Sequence, residues 1–266
     1  MEARYNIHEV YQKNQDKKYE IFNKWCTDNG VLIPKLEYPS FFDGGLLGVK
    51  AVKEIEHREA FLYIPMKILL SIDYAKNHKV IGEVFRMNPH LFHPDKHEDW
   101  EQLSLAMAMF YEYQLGQESF WFPYLNLLPL DIEFFCNWAW EDIQATDDVF
   151  LMQESLAYGR DVEKEWQDFK QVLTRHPEYF HPQLIDRGLF MRIFAQVCSR
   201  CFGWGLPCTS MIPMADNLNH SHGTCVNEVI NVDYHILYQR GNKSVPSVYF
   251  TKEKFMNNYE TAFTET

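Results

Sequence analysis

At 266 residues, with 46% apolar and 16% aromatic side chains, the chain can bury a substantial core, which excludes disorder throughout. Its 37 acidic residues against 25 basic ones leave a net charge of −12. This disfavours nucleic acid and anionic lipid as partners and suits encounter with basic proteins or peptides, although it equally serves solubility. Six sparsely spaced cysteines, no signal-like start and no apolar run long enough to cross a bilayer make an intracellular protein the expectation.

Taken in chain order, Tyr19, Ile21, Phe22 and Trp25 are spaced for an amphipathic helix that Asn29-Gly30 would stop. From Val31 the period shortens, and Val49, Ala51 and Val52, then the run Ala60 to Ile64, predict a small β-meander with glycine-rich or charged turns. Helical signals dominate from Ser71 to Tyr179. Leu103, Leu105, Ala106, Met109, Phe110, Tyr113 and Leu115 form one broad apolar face ahead of Gly116. A second long helix is expected over 154–174, ended by His176-Pro177, and a third over 187–202, closed by Gly203 and Gly205. Strands are expected again at 228–238 and 245–250, so β segments flank a helical stretch of about a hundred residues.

Three places could carry chemistry. The turn Asp43-Gly44-Gly45-Leu46-Leu47-Gly48 would let backbone amides approach a ligand, but its spacing is neither a dinucleotide fingerprint nor a phosphate loop. Cys198 and Cys201, with Cys208, His220, His222 and Cys225 downstream, offer zinc-ligand types. The same two cysteines, however, share a helical face with Phe190, Ile193, Phe194 and Val197, where thiols serve as small core residues. Finally, Ile212-Pro213-Met214-Ala215-Asp216-Asn217-Leu218-Asn219-His220-Ser221 runs from apolar to polar. It reads either as a plain turn or as an amide beside an imidazole able to hold an adenine edge or an amino-acid carboxylate. No nucleophile elbow supports a serine hydrolase, and the carboxylate pairs Glu163/Glu165 and Asp147/Asp148 read as a solvated face.

In order, these segments resemble the SET-domain protein methyltransferases, in the branch that includes the Rubisco large-subunit methyltransferase and the enzymes that modify actin. The likeness covers about Trp25 to Ser221. It rests on Gly45-Leu46-Leu47-Gly48-Val49-Lys50-Ala51 with Ile55 and Leu62-Tyr63-Ile64-Pro65, on Ser119-Phe120-Trp121-Phe122-Pro123-Tyr124 with Leu128-Pro129, on Ser199-Arg200, and on Pro213-Met214-Ala215-Asp216 continuing to Asn219-His220-Ser221.

The resemblance implies an α+β fold: a SET β fold with a pseudo-knot, interrupted by a mostly helical insertion. The corresponding divisions are an N-terminal helical segment 1–30, a first SET portion 31–70, the insertion 71–185, a second SET portion 186–250 and a polar tail 251–266. It further implies S-adenosyl-L-methionine as cofactor, with Gly45 and Leu47 along it through their backbone, Arg200 beside Ser199 at its carboxylate, Asn219 and His220 at its amino-acid and adenine ends, and Asp216 orienting the segment. The implied reaction is methylation of a protein lysine or histidine. The family's turn reads glycine, any residue, glycine, whereas Leu46 stands at the first of those positions here. The Tyr-Gly pair that carries the family's catalytic tyrosine is not found between 222 and 266, so no catalytic residue is assigned. The expectation is a chain that stops short of that pair and of the family's helical substrate-binding domain. A non-catalytic SET-like binding subunit is the alternative role, and a zinc-binding adaptor a third.

Overall fold

The computed structural model describes residues 17–56, 60–130, 132, 138–203, 206 and 208–219. Among these, one compact unit is built from 17–71 and 200–219 and the other from Ile72–Ser199.

The first unit opens with helix α1 (Lys18–Asp28), which buries Phe22 and Cys26 and ends where the sequence places the stop: Asn29 caps it and Gly30 takes φ +92°. Strand β1 (Leu36–Phe41) folds back on β2 (Leu47–Ala51) as an antiparallel hairpin. Its register slips between Glu37 and Ser40, across Pro39, which has no N–H to give to a ladder. The expected third strand of the meander shrinks to one bridge, Leu32 with Tyr63.

A three-stranded sheet completes this unit: β3 (Leu70–Ser71) and β4 (Cys201–Phe202) each pair antiparallel with β5 (Ser210–Met211) between them. Strands 70–71 and 201–202 are thus joined through a partner far along the chain, and the whole helical stretch lies between them in sequence. No local period could announce such short strands, because only the pairing makes them strands.

The second unit contains α2 (Ile72–Asn77), α3 (Gly82–Met87), α4 (Pro89–Phe92), α5 (Trp100–Leu115), α6 (Phe122–Leu125), α7 (Trp140–Ala145), α8 (Val149–Arg175) and α9, which runs Arg187–Arg200 and delivers its last residue to the first unit. Every residue of α5 from Leu103 to Tyr113 is buried, so this is a central helix and not merely an amphipathic one. Phe110, Phe169, Phe180 and Phe190 form its aromatic core, with edge-on and tilted ring pairs 5.0 to 6.1 Å apart. Helix α8 starts five residues earlier than the periodicity suggests because the Asp148 carboxylate caps it, accepting from the Leu151 N–H at 3.0 Å.

Two expectations need correction. Helix α9 ends at Arg200, since Cys201 and Phe202 pair with Met211 and Ser210. Cys198 is exposed, whereas Phe190, Ile193, Phe194 and Val197 are buried, so this thiol is at the edge of the apolar face and not a core residue. The strand candidates at 228–238 and 245–250 lie outside the described residues. Among the described residues no helix is long and apolar enough to cross a membrane.

Candidate cofactor site

The hairpin turn is made by glycine chemistry. Gly44 and Gly45 hold φ +78° and +80°, conformations that side chains rarely adopt, and the turn closes through Gly45 N–H to Phe42 C=O at 3.0 Å and Phe42 N–H to Leu46 C=O at 2.8 Å. Leu46 projects into solvent and Leu47 begins β2 opposite Phe41. Gly45 is therefore a turn glycine, with open space where a Cβ would be.

Gly48 has a different reason to be glycine. It is buried opposite Ser40, and a Cβ there would lie 2.8 Å from Cγ of Asn219 and closer still to its Nδ2. Two segments 171 positions apart in sequence thus meet at an empty Cβ position, and the polar loop is more than a plain turn. Residue-by-residue reading named the glycine-rich turn and Asn219 separately. Gly48 is the residue it did not single out, and the only signal available was its place as the second glycine of the family's pattern.

Arg200, at the end of α9, sends Nη1 to both the carbonyl oxygen and Oδ2 of Asp216, each at 3.1 Å. The Asp216 side chain is fully buried, and that of Arg200 is 24% exposed. The carboxylate fixes one edge of the guanidinium; among the described residues only Nη1 is engaged. Ser199, one residue earlier, turns its hydroxyl back to the carbonyl of Ala195 at 2.7 Å. His220 lies outside the described residues.

The segment carrying Asp216 is held under strain. Met214 sits at φ +77°, ψ −45°, a region sparsely populated by side-chain-bearing residues, with its own side chain buried. The following turn, Ala215–Asn217, is pinned by Tyr38, whose hydroxyl donates to Asn217 Oδ1 at 3.2 Å. Tyr38 is in turn gripped by Asn23, whose Nδ2 donates to its carbonyl at 2.7 Å, and by edge-on rings of Tyr19 and Phe22. A cavity of about 270 Å³ opens here between α1, β1 and Met214, with Asn23, Cys26 and Glu37 among its walls. Burial, reinforced by the Asp216 charge, pushes the Cys26 thiol up to about 12, so it is an inert thiol at neutral pH.

The Ser119–Tyr124 motif, in the helical unit, serves a different purpose. Glu112 on α5 is buried and accepts from Tyr74 at 2.5 Å and Ser119 at 2.6 Å, and Ser119 Oγ also accepts from the Trp121 N–H at 3.0 Å. Trp121 packs on Tyr74 with ring centres 4.4 Å apart. Through Glu112 and Ser119 the motif acts as a structural buckle between α2, α5 and the loop after α5.

Glu165 departs from its sequence reading. It is 200° around α8 from the exposed Glu163 and faces inward, its Oε2 3.2 Å from His97 Nε2. Burial, with the Asp99 charge added, pushes it up to about 7, and burial lowers His97. Among the described residues no group of three or more His, Cys, Asp or Glu converges as metal ligands; His222 and Cys225 lie outside them.

Comparison with known proteins identifies the fold. The SET domain of LSMT bound to lysine and AdoHcy superimposes with a TM-score of 0.64 at 22% identity, over 79% of this chain and 45% of that one. Rubisco LSMT bound to AdoMet gives 0.64 at 23% identity, over 77% and 45%. This chain has the SET-domain fold. Its sequence is also similar to actin-histidine N-methyltransferases: 25% identical over 168 residues to that of Gallus gallus, covering 63% of this chain and 27% of the relative, and 28% identical over 160 residues to that of Canis lupus familiaris, covering 58% and 25%. The match spans about a quarter of the length of these curated relatives. No protein-family model matches the chain. Of the four motif regions that carry the likeness, β2 meets the Asp216–Asn219 segment through Gly48, and Arg200 meets it through Asp216.

Proposed function

We propose that this chain is an S-adenosyl-L-methionine-dependent protein methyltransferase unit that modifies a lysine or histidine side chain of another protein, inside the cell. The observation that carries this reading is an Asn219 amide cradled at Gly48, in the same SET-fold unit as an Arg200 guanidinium fixed on one edge by buried Asp216. Similarity to actin-histidine N-methyltransferases and to SET structures holding AdoMet or AdoHcy supports it.

The donor set suits such a ligand. Arg200 can offer the Nε and Nη2 edge of its guanidinium to a carboxylate, the Asn219 amide both donates and accepts, and Gly45 and Leu47 offer backbone groups along the hairpin. On this reading Ser199 and His220 complete the set and Asp216 orients it. When bound, the cofactor supplies a methyl group on a positively charged sulfur. The chain itself contributes position: well-aligned reactants save about 7 kcal/mol or more of barrier, and burial favours the neutral form of an acceptor lysine. The divisions 31–70 and 186–250 are read as the two SET portions around the insertion 71–185, with 1–30 and 251–266 outside them.

Calorimetry with S-adenosylhomocysteine tests the reading. Binding is expected, weakened by Arg200→Ala and by Asn219→Ala; no heat at high micromolar ligand, with the protein folded by circular dichroism, overturns it. The alternative reading is a SET-like binding subunit. That role predicts no methyl transfer to protein lysine or histidine from radiolabelled S-adenosyl-L-methionine.

A further inference from the structure

Helix α8 is apolar on its inward face and, over its first two turns, on a second stripe that is exposed among the described residues. Ser155, Val162, Trp166, Phe169 and Leu173 are buried on the inward face. Val149 and Leu156, seven positions apart and therefore on one stripe, lie about 100° around the helix from that face, with Met152 between them. Val149 is 65% exposed and its neighbour Phe150 71%, and Leu156 is exposed as well. The short helix α7 packs beside this end of α8, and it begins at Trp140, which together with Trp138 is also exposed. Five large apolar side chains in a nineteen-residue stretch, 138–156, are more than the scattered exposure ordinary for a soluble surface.

The charge around them is one-sided. Between 98 and 159 there are twelve Asp and Glu and no Lys, Arg or His, so this stretch accounts for the whole net charge of −12. Outside it, acids and bases balance. Of these acids Glu141, Asp142, Asp147, Asp148 and Glu154 flank the apolar stripe, and all five are exposed. A second copy of this face would oppose acid to acid, and an anionic bilayer would be repelled in the same way. A partner with the opposite sign gains from both features at once.

We infer that the exposed stripe of α8, with Trp138 and Trp140, is a docking face for a basic amphipathic helix of a partner protein. The apolar side of such a helix would cover Val149, Phe150 and Leu156, and its Lys or Arg residues would meet the acidic rim. This inference does not rest on methyl transfer.

The test is fluorescence anisotropy with the full chain and two labelled probes, an amphipathic Leu/Lys helical peptide and its Leu/Glu counterpart. The Leu/Lys peptide is expected to bind and to weaken steeply as salt rises from about 50 to about 300 mM. The variant Val149→Ser/Phe150→Ser/Leu156→Ser, with charge unchanged, is expected to bind it at least about tenfold more weakly, roughly 1.4 kcal/mol. Asp147→Asn/Asp148→Asn/Glu141→Gln is expected to lose most of the salt dependence. Asparagine keeps both the cap of α8 and the positive φ of Asp147, so that variant folds. Equal binding of the two peptides, or undiminished Leu/Lys binding by the serine variant, overturns the inference. So does self-association of the parent that the serine variant abolishes, or binding to anionic vesicles in place of the peptide.

Discussion

Replacing Gly48 by alanine isolates the contact on which the cofactor reading turns. The new Cβ would stand 2.8 Å from Asn219 Cγ, short by about 0.7 Å or more of ordinary carbon contact, so the amide must move. Its neighbour is the end of a short side chain on an exposed residue, not backbone, and the Gly48 backbone is not in a left-handed conformation. The fold should therefore pay little, within about 1 kcal/mol by urea unfolding, since alanine suits a strand interior better than glycine does. Ligand binding should suffer far more: losing the Asn219 hydrogen bonds costs about 1.5–3 kcal/mol, or roughly 10- to 150-fold in affinity for S-adenosylhomocysteine by calorimetry. Because both changes act through one amide, Gly48→Ala combined with Asn219→Ala should be no worse than Asn219→Ala alone. Full additivity of the two losses, or wild-type affinity in Gly48→Ala, would refute the reasoning.

Three further outcomes follow from the geometry. Arg200→Ala leaves the fully buried Asp216 carboxylate without its cation; since Arg200 is itself partly exposed, the expected loss is about 2–3 kcal/mol in denaturant unfolding, below the 3–5 of a wholly buried pair, and Arg200→Lys should recover part of it. Ser119→Ala strips a donor from buried Glu112 and an acceptor from the Trp121 N–H, and should destabilise the helical unit by about 2–3 kcal/mol, read as a lowered urea midpoint. Glu165 is raised in the fold from 4.5 to about 7, so its protonated form favours folding and stability falls as pH rises through that window. His97, lowered from 6.5, works in the opposite sense: its unfolded form holds the proton to higher pH, so stability rises as pH climbs toward 6.5 and levels off above it. Glu165→Gln should remove the fall, leave the rise, and give a variant more stable than the parent at pH 8; superimposable pH profiles of parent and variant would contradict this.

Much of the local structure is legible in the residues themselves. Asn29-Gly30 stops α1, Gly116 stops α5 at φ +56° and His176-Pro177 stops α8, because caps and breakers act through the backbone of a few neighbouring residues. The helical motifs and the family likeness are local strings too. The start of α8 is set by its Asp148 N-cap and not by the apolar period, which becomes regular only further along the helix.

What sequence could not contain is distance between segments. Whether Cys201-Phe202 continues a helix or joins a sheet depends on Ser210-Met211 being beside it, and whether Glu165 is solvated depends on His97 arriving from another element. Gly48 shows the same division. Its residue type is plain in the chain, but its purpose, leaving room for an amide 171 positions away, exists only once the hairpin and the Asp216–Asn219 segment are folded together. Propensity is a property of neighbours in sequence, whereas burial, charge pairing and close approach belong to neighbours in space, and those are chosen by the packing of the whole unit.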